Sequence, residues 1–242
     1  MTAETSADLQ RRVAIHAALA DPARLSIMDL LQVADAAPSE LATLLSMPSN
    51  LVAHHLGVLE KVGLIRRSRS AGDQRRIYLS AVDTKLGPLT PAPAPARTAP
   101  RLVFVCTHNS ARSQLAAALW RRHSEVPATS AGTDPAPRIH PGAIAAARRH
   151  QLPIRTSAPR RVGEVLRPDD LVVAVCDAAH EALDTGLRRL HWSIADPAAA
   201  GTDEAFDQTV DSLTERVLRL SPTVRRVPRS TPARRTRQNR PA

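Results

Sequence analysis

Cysteine is scarce in this chain: 242 residues hold two, Cys106 and Cys176, and the first hundred residues hold none. So few thiols exclude a disulfide framework and leave cysteine for chemistry or for the core. Long apolar runs and a signal-peptide pattern are also missing, so no membrane span is expected and a reducing cytoplasm is the expected compartment. The histidines show no metal-ligand spacing, and no bound metal or cofactor is expected. Acidic residues are absent from 221–242, where seven arginines fall.

That last absence explains most of the charge. The formal net charge is +10, and setting the seven tail arginines aside leaves +3. The excess belongs to a disordered-looking tail, 221–242, which either binds DNA phosphates non-specifically or is a solvated extension. A second unusual stretch, "GPLTPAPAPARTAP", makes 81–100 a stiff proline-rich linker. Its residues Pro88 to Pro100 would reach roughly 40 Å as polyproline, so the halves on either side need not touch.

Residues 1–80 carry short helices followed by a basic hairpin. Asp21-Pro22 is a helix start, with a side-chain oxygen for the cap and proline where no amide hydrogen is needed. Leu25, Met28, Leu30 and Leu31 supply its apolar face. Leu41, Leu44 and Leu45 mark one short helix, and Leu51, Val52, Leu56 and Leu59 stripe another beyond the turn at Met47-Pro48-Ser49. Two short helices about a tight turn predict a helix-turn-helix. "LIRRSRS" and "QRRIYLS" then flank "AGD" as a hairpin. Between Lys61 and Ser80 six basic residues stand against one acid, Asp73, which makes the hairpin a basic wing.

From Arg101 to residue 220 the pattern alternates. "LVFV", "ATSAG", "DLVVAV" and "RRLHWSI" are apolar strands separated by helices, which predicts an α/β domain with a four-stranded parallel sheet. Ligands of such sheets sit at the carboxyl ends of the strands, and Cys106 lies at one. In "FVCTHNSARSQ" a strand ends in Cys106, a short loop follows, and a helix starts near Ser113. Loop amides at a helix N-terminus favour an oxyanion, and the same field favours thiolate over thiol. Arg112 offers a two-pronged fork to a tetrahedral anion. Asn109 tolerates the left-handed backbone that a curled loop needs. Ser113 can donate to the sulfur.

"VCTHNSARSQLAAAL", "SAGT" (Ser130 to Thr133) and "ADP" before a last helix resemble the low-molecular-weight tyrosine phosphatase superfamily, in particular its arsenate reductase branch. The resemblance implies that Cys106 is the nucleophile and Asp196 the general acid. It also implies that the loop Thr107, His108, Asn109, Ser110, Ala111, with Arg112 and Ser113, cradles arsenate or phosphate. Tyrosine phosphatases of this superfamily carry aromatics after the Asp-Pro pair, whereas this chain has Ala198, Ala199 and Ala200. A small inorganic oxyanion fits better than a phosphotyrosine. Cys176 stands where thioredoxin-coupled arsenate reductases carry a second cysteine, although a buried core thiol is the other reading. The third cysteine of those enzymes is replaced by Leu183, so mycothiol, glutathione or a redoxin of thioredoxin or glutaredoxin type is expected to finish turnover. His140, His150 and His180 are expected at the surface or in hydrogen-bonded core positions.

"ALADPARLSIMDLL" with "LVAHHLGVLEKVGLIRR" is similar to the ArsR family of winged-helix repressors. This implies a homodimer on operator DNA. Ser49, Asn50, Ala53 and His54 would face bases, and Arg66, Arg67, Arg69, Arg75 and Arg76 would meet phosphate or minor groove. His55 either packs beneath the helix or touches DNA. Metal-sensing members often carry a Cys-x-Cys before the turn, and this half has no cysteine. Trivalent arsenic favours thiolates, so that sensing mechanism cannot operate here. Three functions stay open: an arsenate reductase fused to a regulator of arsenic resistance, a tyrosine phosphatase fused to a regulator, or a regulator whose oxyanion pocket only binds an effector.

Overall fold

The computed structural model describes residues 3–82, 97–154 and 158–227. In the first half α1 (Ala3–Leu19), α2 (Pro22–Val33), α3 (Pro38–Leu44) and α4 (Ser49–Lys61) precede the antiparallel strands β1 (Ile65–Arg69) and β2 (Ile77–Ala81). Asp21 caps α2 as expected, accepting from the Arg24 amide at 3.0 Å, with Pro22 in the first turn. Ile27, Met28, Leu31, Leu41, Val52, Leu56 and Leu59 form the small core. Leu25, Leu44 and Leu51, expected in it, are 39%, 64% and 41% exposed. Helices of this length turn only part of each apolar stripe inward.

The hairpin loop is wider than the sequence suggests. Arg69 pairs with Ile77, so residues 70–76 lie outside the ladder and Gln74, Arg75 and Arg76 are not strand residues. Asp73 causes part of this, because its carboxylate accepts from the Arg75 amide at 3.1 Å and its carbonyl from the Arg76 amide at 2.8 Å.

In the second half the four-stranded parallel sheet is present, ordered β5-β4-β6-β7. Its strands are β4 (Leu102–Cys106), β5 (Ala128–Gly132), β6 (Leu171–Ala174) and β7 (Arg189–His191). Helices α5 (Arg112–His123), α6 (Pro141–Arg149), α7 (Val162–Val165), α8 (Asp177–Ala182), α9 (Pro197–Ala200) and α10 (Asp203–Leu220) complete it. Strands β4 and β6 are buried along their whole length, as a sheet covered on both faces requires. Phe104 lies between Trp120 and Trp192, at 5.9 and 5.8 Å between ring centroids. Both indole N–H groups are satisfied, Trp120 by the Val126 carbonyl and Trp192 by the Val33 carbonyl, each at 2.8 Å.

Two boundaries shift. The linker expected to run to residue 100 gives way at β3 (Arg97–Ala99), which pairs in parallel with β8 (Val224–Arg226) from the stretch expected to be a disordered tail. Residues 83–96 of the linker, and Arg229, Arg234, Arg235, Arg237 and Arg240 of the tail, lie outside the described residues.

The halves also touch extensively, although the linker's reach does not require it. Val33, at the end of α2, belongs to the core of the second half. Asp35, 3% exposed, accepts from the Ser193 amide at 2.6 Å and pairs with Arg216 at 2.8 Å, while its own amide donates to the His191 carbonyl at 2.7 Å. His180 bonds Glu40 at 3.0 Å, and Tyr78 packs edge-on against His191 at 4.3 Å. Proline sets the length of a linker; it does not decide whether complementary faces at its ends meet.

Candidate functional site

The loop between β4 and α5 curls around a point at the carboxyl end of the central strand. Five successive carbonyls are engaged on its outer side. Those of Cys106, Thr107, His108 and Ser110 accept from the amides of Thr133, Asp134, Ala136 and His140 at 2.9–3.1 Å, and that of Asn109 from the Gln114 side chain at 3.1 Å. In a trans peptide the N–H opposes the C=O, so the amides of residues 107–111 face the inner side. Together with the N-terminus of α5 they form a positive concavity suited to an oxyanion.

Asn109 locks the curl. Its φ of 50° is left-handed, as expected, its Oδ1 accepts from the Arg160 amide at 3.0 Å, and its Nδ2 donates to Ser113 Oγ at 2.9 Å. Ser113 Oγ lies 3.1 Å from Cys106 Sγ, and the donation from Asn109 leaves the hydroxyl proton for the sulfur. Gly132 ends β5 beneath the loop, where a Cβ would stand 2.6 Å from the Thr107 carbonyl oxygen. The glycine of "SAGT" is therefore required by close approach.

Arg112, the first residue of α5, is 6% exposed. It donates to the Ile194 carbonyl at 3.0 Å and to Asp196 Oδ2 at 2.9 Å. Asp196 caps α9 through Oδ1, which accepts from the Ala198 amide at 3.2 Å, and Pro197 fixes the turn. Ala198, Ala199 and Ala200 are exposed beside it and offer no ring.

Cys176, 2% exposed, follows the end of β6 and precedes α8. Its sulfur is 3.6 Å from Thr107 Oγ1, which places the second thiol at the cradle's edge. Burial pushes this thiol up; the Arg112 guanidinium pulls it the other way, and the neighbouring Cys106 pushes it up again. The thiol form prevails at neutral pH.

The other expected residues fall in two places. Ser49, Asn50, Ala53 and His54 are exposed along α4, while His55 is 7% exposed and packs beneath, its Nδ1 3.8 Å from Asp21. Arg69 is exposed, Arg67 pairs with Glu60 at 2.9 Å, and Arg75 and Arg76 pair with Asp73 at 3.0 and 3.8 Å. Arg66 is elsewhere. It donates to Ser80 Oγ at 3.0 Å and lines a cleft of about 500 Å³ with Asp196, Gln208 and Arg216, so the N-terminal half contributes a wall beside Asp196. His108 is exposed, His140 caps α6 through the Gly142 amide at 3.1 Å, and His150 bonds Asp207 at 2.9 Å. Sequence reasoning missed Arg160 and Gln114 as anchors of the loop, and nothing in their spacing signals it. No helix among the described residues is long and apolar enough to cross a membrane.

Known proteins are similar in sequence to both halves of this chain. Residues 101–230 match the family described as low molecular weight phosphotyrosine protein phosphatase, and residues 19–68 match a helix-turn-helix domain family. An arsenate reductase of Bacillus licheniformis is 36% identical over 137 residues, covering 50% of this chain and 95% of the relative. One from Halalkalibacterium halodurans is 32% identical over 127 residues, covering 48% of this chain and 91% of the relative. Among solved structures, the arsenate reductase from Archaeoglobus fulgidus is 31% identical, covering 50% of this chain and 98% of that one with a TM-score of 0.46. The chain belongs to the low molecular weight phosphotyrosine protein phosphatase family, through a C-terminal domain that matches arsenate reductases and is fused to an N-terminal helix-turn-helix domain of ArsR type.

Proposed function

We propose that the C-terminal domain reduces arsenate to arsenite with thiol electrons, and that the N-terminal domain binds operator DNA and regulates arsenic-resistance genes. Two thiols beside one oxyanion cradle carry the reading: Cys106 at the start of the loop, 3.1 Å from Ser113 Oγ, and Cys176 at the edge, 3.6 Å from Thr107 Oγ1. Cys106 attacks arsenic, and Asp196 gives a proton to the oxygen that leaves as water. Arg112 and the amides stabilise the anion. Cys176 then attacks the Cys106 sulfur, its thiol proton passing to an oxygen of the departing arsenite. An S–S bond forms, the As–S pair of electrons passes to arsenic, and arsenite leaves. Thr107, His108, Asn109, Ser110, Ala111 and Ser113 hold the loop and anion.

Leu183 supplies no resolving thiol, so an external one reopens the disulfide: mycothiol, glutathione, or a redoxin of thioredoxin or glutaredoxin type. Ser49, Asn50, Ala53 and His54 face bases, and Arg67, Arg69, Arg75 and Arg76 face the sugar-phosphate backbone. A homodimer presents two such sets, and the compartment is the reducing cytoplasm. The alternative is aryl phosphate hydrolysis, which uses the same cradle without needing Cys176. The three alanines weigh against it, since each missing ring pair forgoes about 0.5–1.5 kcal/mol. Arsenite formation set against hydrolysis of an aryl phosphate by the same preparation tests the choice.

A further inference from the structure

The wing ends on the catalytic domain. Its tip meets α8, the helix that follows Cys176, and the acids of that helix point at the tip. The Ala71 amide donates to Asp177 Oδ2 at 2.7 Å, and the Asp73 amide to Glu181 Oε2 at 2.8 Å. Ser70 Oγ and Tyr78 Oη donate to Glu181 Oε1 at 2.7 and 3.1 Å. Ser70 is 2% exposed in consequence. Gly72 sits so close that a Cβ would stand 2.5 Å from Glu181 Oε2 and 2.9 Å from the Ala178 Cα. The recognition face of α4 has no such cover, since Ser49, Asn50, Ala53 and His54 are exposed.

Backbone amides and a hydroxyl converging on anionic oxygens are what positions a protein on a DNA backbone. Here carboxylates occupy those donors. We propose that Asp177 and Glu181 act as a phosphate-like dock for the wing tip, so that the catalytic domain and the DNA backbone compete for the wing. Cys176 caps the same short helix, so DNA that takes the wing loosens the hold on Cys176. By linkage, whatever draws Cys176 toward Cys106 weakens the dock and frees the wing. The docking competition is independent of the reaction that Cys106 performs. Only its consequence for turnover rests on the arsenate reductase reading.

Gly72→Ala in the full chain tests this without changing charge. The backbone of Gly72 is not left-handed, so alanine leaves the wing unstrained and acts by wedging it from α8. Binding is followed by fluorescence anisotropy with a mixed-sequence duplex of about 30 base pairs at low salt. Gly72→Ala should bind about five-fold tighter or more. Ser70→Ala, which removes one bond to Glu181, should shift in the same direction. In a Cys106→Ser background, where Cys176 is the one remaining thiol, iodoacetamide should alkylate Cys176 faster when Gly72→Ala is added, and faster when duplex is added to the unaltered wing. Unchanged or weaker DNA binding in both wing variants overturns the proposal. So does an alkylation rate that duplex leaves unmoved. Neither readout needs arsenate turnover, so a failed reductase assay and a failed dock are distinguishable.

Discussion

Gly132 and Asn109 meet where a side chain on the former would leave no room: a Cβ on Gly132 would stand 3.0 Å from both the amide nitrogen and the Cβ of Asn109. The last residue of β5 is thereby the floor of the loop that β4 feeds. Gly132→Ala is expected to push the loop off its hydrogen bonds, destabilise the protein by about 1–3 kcal/mol and weaken oxyanion binding. Chemical denaturation and phosphate titration check the two effects separately.

Arg112 is held by the Ile194 carbonyl and Asp196. Lysine keeps the charge and loses the planar fork. Arg112→Lys should lower kcat by about 10²–10³, as for loss of a preorganised oxyanion donor, at near-normal melting temperature. Steady-state kinetics beside a thermal melt measure this.

Asp196 caps α9 through one oxygen and meets Arg112 through the other. Asparagine still caps a helix but carries no acidic proton. Asp196→Asn is expected to keep the fold and lose about 10²–10⁴ in kcat. Intact circular dichroism with retained activity would argue against its role as the acid.

Asp35 is a buried anion shared between the halves through Arg216, the Ser193 amide and its own amide. Asp35→Ala leaves Arg216 without its partner at the junction. The expected cost is about 3–5 kcal/mol, seen as a lower denaturation midpoint and as separation of one unfolding transition into two.

His191 responds to pH in a direction that the geometry fixes. Burial lowers it below the ordinary imidazole range, although the bond to Asp177 at 2.9 Å works the other way. Its Nδ1 is buried without a partner, so a second ring proton has no acceptor. The unfolded chain therefore takes up the proton first as pH falls. The stability this histidine contributes is present above the unfolded value, about 6.5, and is lost as pH falls through the lower folded value. Thermal midpoints should drop from about pH 7 to about pH 5.5, and His191→Gln should flatten that slope.

Local rules made much of this legible. Apolar runs ending in Cys106 and Val175 marked the two central strands, Asp21-Pro22 marked a helix start, and Asn109 announced a left-handed turn. Each depends on neighbours in sequence. The dock of the wing on α8 joins Ser70 to Glu181 and Ala71 to Asp177, more than a hundred residues apart, and no periodicity encodes such a pair. For the same reason Arg66 reads as one more basic wing residue in sequence and lines a cleft beside Asp196 in space. β3 and β8 were hidden because three-residue strands in proline- and arginine-rich stretches carry no alternation to detect.

The central claim is that Cys106 and Cys176 together reduce arsenate. Arsenite is to be measured after mixing the full chain with arsenate and, in turn, glutathione, mycothiol or a thioredoxin system. The account predicts arsenite with at least one of these thiols, none from Cys106→Ser, and loss of turnover in Cys176→Ser. Normal arsenite formation by Cys106→Ser, or no arsenite with any thiol from a preparation that hydrolyses an aryl phosphate, would contradict it.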